Sequence, residues 1–219
     1  MTEEARLREQ ICATGLSLFT RGYVHATAGN ISARLGDGFL ITPTDACLGR
    51  LDPAALALVD AQGRHVAGER PSKTLALHQH IYAADPQARC VLHTHSTHLV
   101  ALTLAGVWRP QDILPPITPY FVMKVGHVPL VPYHRPGDPA VGEHVAAAIA
   151  RFQARGLRLR AVMLDRLGPQ VWGPDPAQTM ATLEELEETA RLWLACDRRC
   201  TWLDDGRIDE LRHTFGAAW

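Results

Sequence analysis

The residues best suited to chemistry are His93-Thr94-His95. On an extended segment, side chains two apart point to one face. The short apolar run Cys90-Val91-Leu92-His93-Thr94-His95 therefore predicts a buried strand that presents both imidazoles together. Two imidazoles on a rigid element suit a divalent metal of the zinc type. The same spacing also serves one core histidine beside one exposed histidine, and a chain with 11 histidines produces such pairs by chance. His98 falls past the strand, on another face. His78 and His80 lie on a predicted helix and point about 200° apart, so at most one of them lines the same site.

Three further segments carry groups that hold anions. Gly29-Asn30-Ile31-Ser32 joins a turn-permitting glycine to two polar side chains, although an ordinary turn uses the same residues. Thr42-Pro43-Thr44-Asp45 concentrates hydroxyls at a strand end. Pro71-Ser72-Lys73-Thr74 opens a predicted helix, where free N–H groups, the helix dipole, a hydroxyl and an ammonium converge on a phosphate or carboxylate. A capped helix with a surface lysine has the same composition.

The elements that position these residues follow from hydrophobic period and turn chemistry. Residues 4–21 read as a helix with Leu7, Ile11, Leu16, Leu18 and Phe19 as its apolar face. A hairpin follows around Gly36-Asp37-Gly38, then a short strand pair around an Asp60–Gly63 turn. Ser72 is the expected N-cap of a helix running to about Ala84, which Asp85-Pro86 ends. After the histidine strand come a helix from Leu99, a proline-rich loop, and a strand at Val128–Val131. Then follow a helix at Val141–Arg151, a strand at Ala161–Leu164, its partner at Pro169–Trp172, and a long helix at Pro176–Arg198. Residues 201–219 show weak pattern. With no repeat or linker, residues 1–219 read as one mixed α/β domain.

Composition narrows the function classes. The 219 residues carry 22 Lys+Arg against 23 Asp+Glu, with 47% hydrophobic residues. That is ordinary globular composition. No basic stripe exists for counterion release, which argues against nucleic acid. No stretch approaches the roughly 20 apolar residues of a membrane span. Five scattered cysteines without a CxxC pair read as reduced thiols, so the expected location is cytoplasmic.

Taken together and in order, these motifs resemble the class II aldolase/adducin family. The match rests on Gly29-Asn30-Ile31-Ser32, Ile41-Thr42-Pro43-Thr44, Pro71-Ser72-Lys73, Val91-Leu92-His93-Thr94-His95, Pro119-Tyr120 and the helix carrying Leu183–Ala190. Within that family the chain is most similar to the 3-oxo-tetronate 4-phosphate decarboxylases. Ile117–Met123 and Pro132–Asp138 add to that likeness. The resemblance implies a three-layer αβα fold around a mostly antiparallel sheet, and a homotetramer with active sites between subunits. It also implies a divalent metal, commonly zinc, and cleavage of a carbon–carbon bond beside a carbonyl in a small oxo-acid or sugar acid. By position, Asn30, Thr44, Ser72 and Lys73 would hold the substrate's phosphate or carboxylate, and His93 and His95 the metal. Tyr120 would donate a proton in a neighbouring subunit's site, with Lys73 also in the catalytic set.

The chain departs from the family pattern at three places. Thr74 stands where members usually carry an acid. Leu167 stands where an Asn-His-Gly element supplies a third metal-binding histidine. Asp45 replaces a common glycine beside the anion segment. Asp165, His127, His134 or a neighbouring subunit are open as replacement ligands. Arg166 either stands in for positive charge or pairs with Asp45. The departures leave two other readings open: a binding or scaffold subunit without the reaction, and metal-free acid–base chemistry in the same pocket.

Overall fold

A computed structural model describes residues 1–219. Its frame is one eight-stranded sheet in the order β4-β3-β2-β1-β5-β8-β7-β6. The strands are β1 (Asn30–Leu35), β2 (Gly38–Ile41), β3 (Ala57–Val59), β4 (His65–Ala67), β5 (Cys90–His93), β6 (Leu130–Val131), β7 (Ala161–Leu164) and β8 (Gly168–Gly173). All neighbours are antiparallel except β6 and β7.

The central strands are buried on both faces, because helices cover each. Ile31, Leu92 and Val171 face one side, where α1 (Glu3–Thr20), α3 (Thr97–Ala105) and α5 (Pro176–Ala195) complete a 24-residue apolar core. Val91, Val162 and Trp172 face the other, where α2 (Leu75–Ala84) and α4 (Ala140–Gln153) complete an 18-residue core. This is the expected αβα layering, and the alternation along each strand is what separates the two cores. No helix is long and apolar enough to cross a membrane.

Three local expectations are corrected. The helix expected from Ser72 begins at Leu75, with Thr74 as an N-cap whose side chain makes no capping bond. Residues 70–72 are instead pinned beside the end of β2: Thr44 N–H donates to Arg70 O at 2.9 Å and Ser72 N–H to Thr42 O at 3.1 Å. Those bonds hold the chain extended before the helix can start. The histidine strand ends at His93, so Thr94 and His95 lie beyond regular pairing. The weakly patterned tail contains α6 (Asp205–Phe215), capped by Asp204 and closed by Gly216 at φ +66°. Its single buried side chain, Ile208, explains why no apolar stripe announced it.

Candidate active site

Two glycines place the histidine segment. Gly29, at φ +87°, lies so close to His93 that a Cβ there would come 2.8 Å from its carbonyl oxygen. Gly168, at φ +136°, lies closer still to Thr94, and a Cβ would meet that carbonyl at 1.9 Å. Only glycine accepts both the conformation and the approach. The end of β5 is thus clamped between the loop entering β1 and the β7–β8 hairpin.

Across the sheet, Asn30, His93 and Gln170 are register partners on adjacent strands and share one face. They form the floor of a cavity of about 350 Å³. Thr44, Ser72 and Lys73 line one end, and His93, His95 and Leu167 the other. The β2–Ser72 bonds described above are what bring the two anion segments to one wall. Every residue assigned from sequence to the anion and metal sets therefore lines this single cavity, with the exception of Tyr120. Tyr120 is 60% exposed and stands by a separate cavity of about 440 Å³ with Lys124, Arg158 and Arg160.

The imidazole end is specific in its donors. The rings of His93 and His95 lie 5.1 Å apart, centre to centre. His93 Nδ1 is 3.0 Å from Pro169 O. A carbonyl only accepts, so Nδ1 carries the proton and Nε2 presents a free lone pair. Burial, then the neighbouring His95, pushes His93 down to about 4. Burial and His25 lower His95 as well. Both rings are therefore neutral near pH 7, the form that binds a metal.

That pair fits a divalent ion, but the chain adds no third donor: no group of three His, Cys, Asp or Glu side chains meets here. Leu167 occupies the wall where the third histidine was sought. His127 is committed to Asp112 at 2.9 Å and stacks on Trp219. His134 lies against His144, and neither it nor Asp165 lines the cavity. His25, overlooked in the sequence, stands 6.2 Å from His95. Only its position just before the Gly29 loop hinted at it.

At the anion end, Lys73 Nζ lies 3.5 Å from Asp45, and both side chains are largely exposed. Asp45 thus pairs with Lys73 and not with Arg166. Arg166 sits at φ +62° in the β7–β8 turn and lines a shallower recess with His25 and His95. Thr74, at the position of the missing acid, shares a hydroxyl contact of 2.9 Å with Ser72. Of the helical histidines, His98 bonds Glu187 at 2.8 Å on the far face. His78 lies under the cavity floor, 2.6 Å from Asn30 Oδ1.

Comparison with known proteins agrees with this architecture. Residues 9–194 match the profile of the Class II Aldolase and Adducin N-terminal domain, and the chain belongs to that family. A 3-oxo-tetronate 4-phosphate decarboxylase from Cupriavidus necator is 56% identical, with both chains covered completely. One from Escherichia coli K12 is 41% identical over 95% of this chain and 96% of its own. The crystal structure of YgbL from Klebsiella pneumoniae, described as a candidate aldolase, epimerase or decarboxylase, superposes with a TM-score of 0.88 at 40% identity. That match covers 97% of this chain and all of the other.

Proposed function

We propose that this protein is a carbon–carbon lyase that decarboxylates 3-oxo-tetronate 4-phosphate or a close phosphorylated sugar acid. The observation that carries the reading is one cavity with an anion-holding end and a neutral imidazole pair, in a chain 56% identical along its whole length to a decarboxylase of that substrate. A 3-oxo acid loses its carboxylate when the C1–C2 bond breaks and its electron pair moves into an enolate over C2, C3 and the carbonyl oxygen. Carbon dioxide leaves, and C2 then takes a proton.

The chain's own residues divide that work. Asn30, Thr44, Ser72 and Lys73 hold the phosphate and so set the distance from it to C3. His93 and His95 would hold the divalent metal, zinc by family resemblance, which supplies positive charge near the carbonyl oxygen. Leu164 and Leu167 line the same cavity and keep the reacting carbons away from bulk water. Tyr120 does not line the substrate cavity of its own chain, so its role as proton donor at C2 requires a neighbouring subunit. We read the assembly as a homotetramer by family resemblance, with residues 1–219 as one domain.

Leu167 and Thr74 favour a second reading, a binding subunit without turnover. One experiment separates the two. Purified, untagged protein is given 3-oxo-tetronate 4-phosphate while carbon dioxide release is followed, and bound metal is counted by plasma mass spectrometry. Turnover with a metal near one per chain supports the lyase. Substrate binding without carbon dioxide release supports the second reading.

A further inference from the structure

Beneath the cavity floor, Tyr82, Ser32 and His78, to which the mechanism assigns no role, form a polar chain that ends on Asn30. Tyr82 OH lies 2.7 Å from Ser32 Oγ, and Ser32 Oγ lies 2.7 Å from His78 Nδ1. His78 Nε2 lies 2.6 Å from Asn30 Oδ1. Ser32 and His78 are fully buried, and Tyr82 and Asn30 are each 5% exposed.

Counting protons gives the chain a direction. The phenol, the hydroxyl and the neutral imidazole each have one proton to donate. With the imidazole proton on Nδ1, His78 donates to Ser32 and Ser32 to Tyr82. The phenol proton is then stranded without an acceptor, in apolar surroundings shared with Phe39. A bare Nε2 would also turn the Asn30 amide over, with its oxygen toward the cavity. The opposite direction satisfies every group: Tyr82 donates to Ser32, Ser32 to Nδ1, and Nε2–H to Asn30 Oδ1. Buried polar groups that can all be satisfied are satisfied, because the alternative leaves a desolvated donor unpaired.

The same count orients Gln170. Its amide nitrogen lies 3.3 Å from His78 Nε2, which would set N–H against N–H, and its oxygen has no partner. Reversed, the oxygen becomes a second acceptor for His78.

We propose that His78 is a positioning residue: as the Nε2–H tautomer, set by Tyr82 through Ser32, it locks the Asn30 amide with its NH2 toward the cavity. The floor therefore recognises an oxyanion through two outward N–H bonds, and a carbonyl oxygen never faces the ligand there. This rests on the reading of Asn30 as part of the substrate's anion end, and it names what holds that end in its donating state. Phosphate and carboxylate share this chemistry.

The test has a spectroscopic arm and a binding arm. Nitrogen-15 correlation spectra of the wild-type histidine rings should show His78 protonated on Nε2 alone, and an Nδ1–H ring overturns the proposal without any variant. Inorganic phosphate and acetate are then titrated by calorimetry into wild type, His78→Leu and His78→Gln. The glutamine keeps an N–H near the Nε2 position. Leucine should weaken the preferred anion at least tenfold, and glutamine should stay within threefold of wild type. With substrate, KM should rise in the leucine variant by more than kcat falls. Unchanged anion affinity in His78→Leu overturns the proposal, as does a glutamine variant no better than leucine or a wild type that binds neither anion. Preference for phosphate over acetate assigns the floor to the phosphate end, and the reverse assigns it to the carboxylate. Absence of turnover with tautomer and anion binding intact counts against the lyase reading alone.

Discussion

The two ends of the cavity are built to different degrees of completion. At the Asn30 end, each polar group has a partner behind it, from Tyr82 through Ser32 and His78 to the amide. At the His95 end, two neutral imidazoles meet Leu167, and only His93 has a backing bond, to Pro169. Apolar packing can fill an open wall without a donor, whereas a buried network cannot lose a member without leaving another group unpaired. Removing one member of a satisfied network strands the rest. A leucine in the place of an imidazole offers a cation no lone pair, and it leaves no orphaned polar group.

Four experiments test this contrast. The largest effect is expected from His93→Ala. If the imidazole end carries the positive charge of the reaction, turnover falls about a thousandfold, the rate equivalent of several kcal/mol of charge stabilisation. Dialysis against a chelator should reproduce the loss in the wild type. Full turnover after metal removal would shift the chemistry to the other end.

The second concerns acid stability of the metal-free protein. Burial, reinforced by the neighbouring rings, pushes His78 down to about 3 and His93 to about 4, from an ordinary value of 6.5. The unfolded chain therefore takes up protons near pH 6.5 that the native state refuses. Stability is fully present above that value and falls as pH drops toward 4. Each ring contributes at most about 1.4 kcal/mol per pH unit. Urea melts at pH 6.5 and 5 should differ by roughly 2–3 kcal/mol after allowance for relaxation. A flat profile would mean that neither end holds its histidine neutral.

Third, Leu167→His adds an imidazole to the incomplete end. Zinc affinity should rise at least about tenfold, measured by competition with a chromophoric chelator, because catalytic zinc usually has three protein ligands. No gain would show that the wall at Leu167 does not face the ion.

The smallest effect is expected from Asp45→Gly. Asp45 sits at φ +57°, where glycine is unstrained. The change should stabilise by about 0.5–1 kcal/mol and raise Tm by about 1–4 °C. It also frees Lys73 from an exposed pair worth at most about 1 kcal/mol. KM for phosphorylated substrate should fall by less than about fivefold. A rise in KM would mean that Asp45 itself helps to hold the substrate.

Much of this molecule was legible in one dimension. The Gly36–Gly38 hairpin, the Ala161–Leu164 strand and the long helix from Pro176 stand where apolar period and turn residues put them. So does the pairing of His93 with His95, although the strand stops short of the second ring. The start of α2 is not legible in the sequence, because Ser72 has good capping chemistry and nothing local reveals that Thr42 O claims its N–H. The tail helix leaves no apolar stripe in the sequence, because only Ile208 is buried.

Which side chains can donate, accept or hold charge, and where the strongly patterned strands and helices lie, is written in the order of residues. Those properties are local to a residue or its near neighbours. That Asn30, His93 and Gln170 share a floor, that Ser72 meets Thr44, and that His78 lies beneath, comes from the folded arrangement. Strand register and backbone bonds between distant segments set those meetings, and neither leaves a periodic trace along the chain.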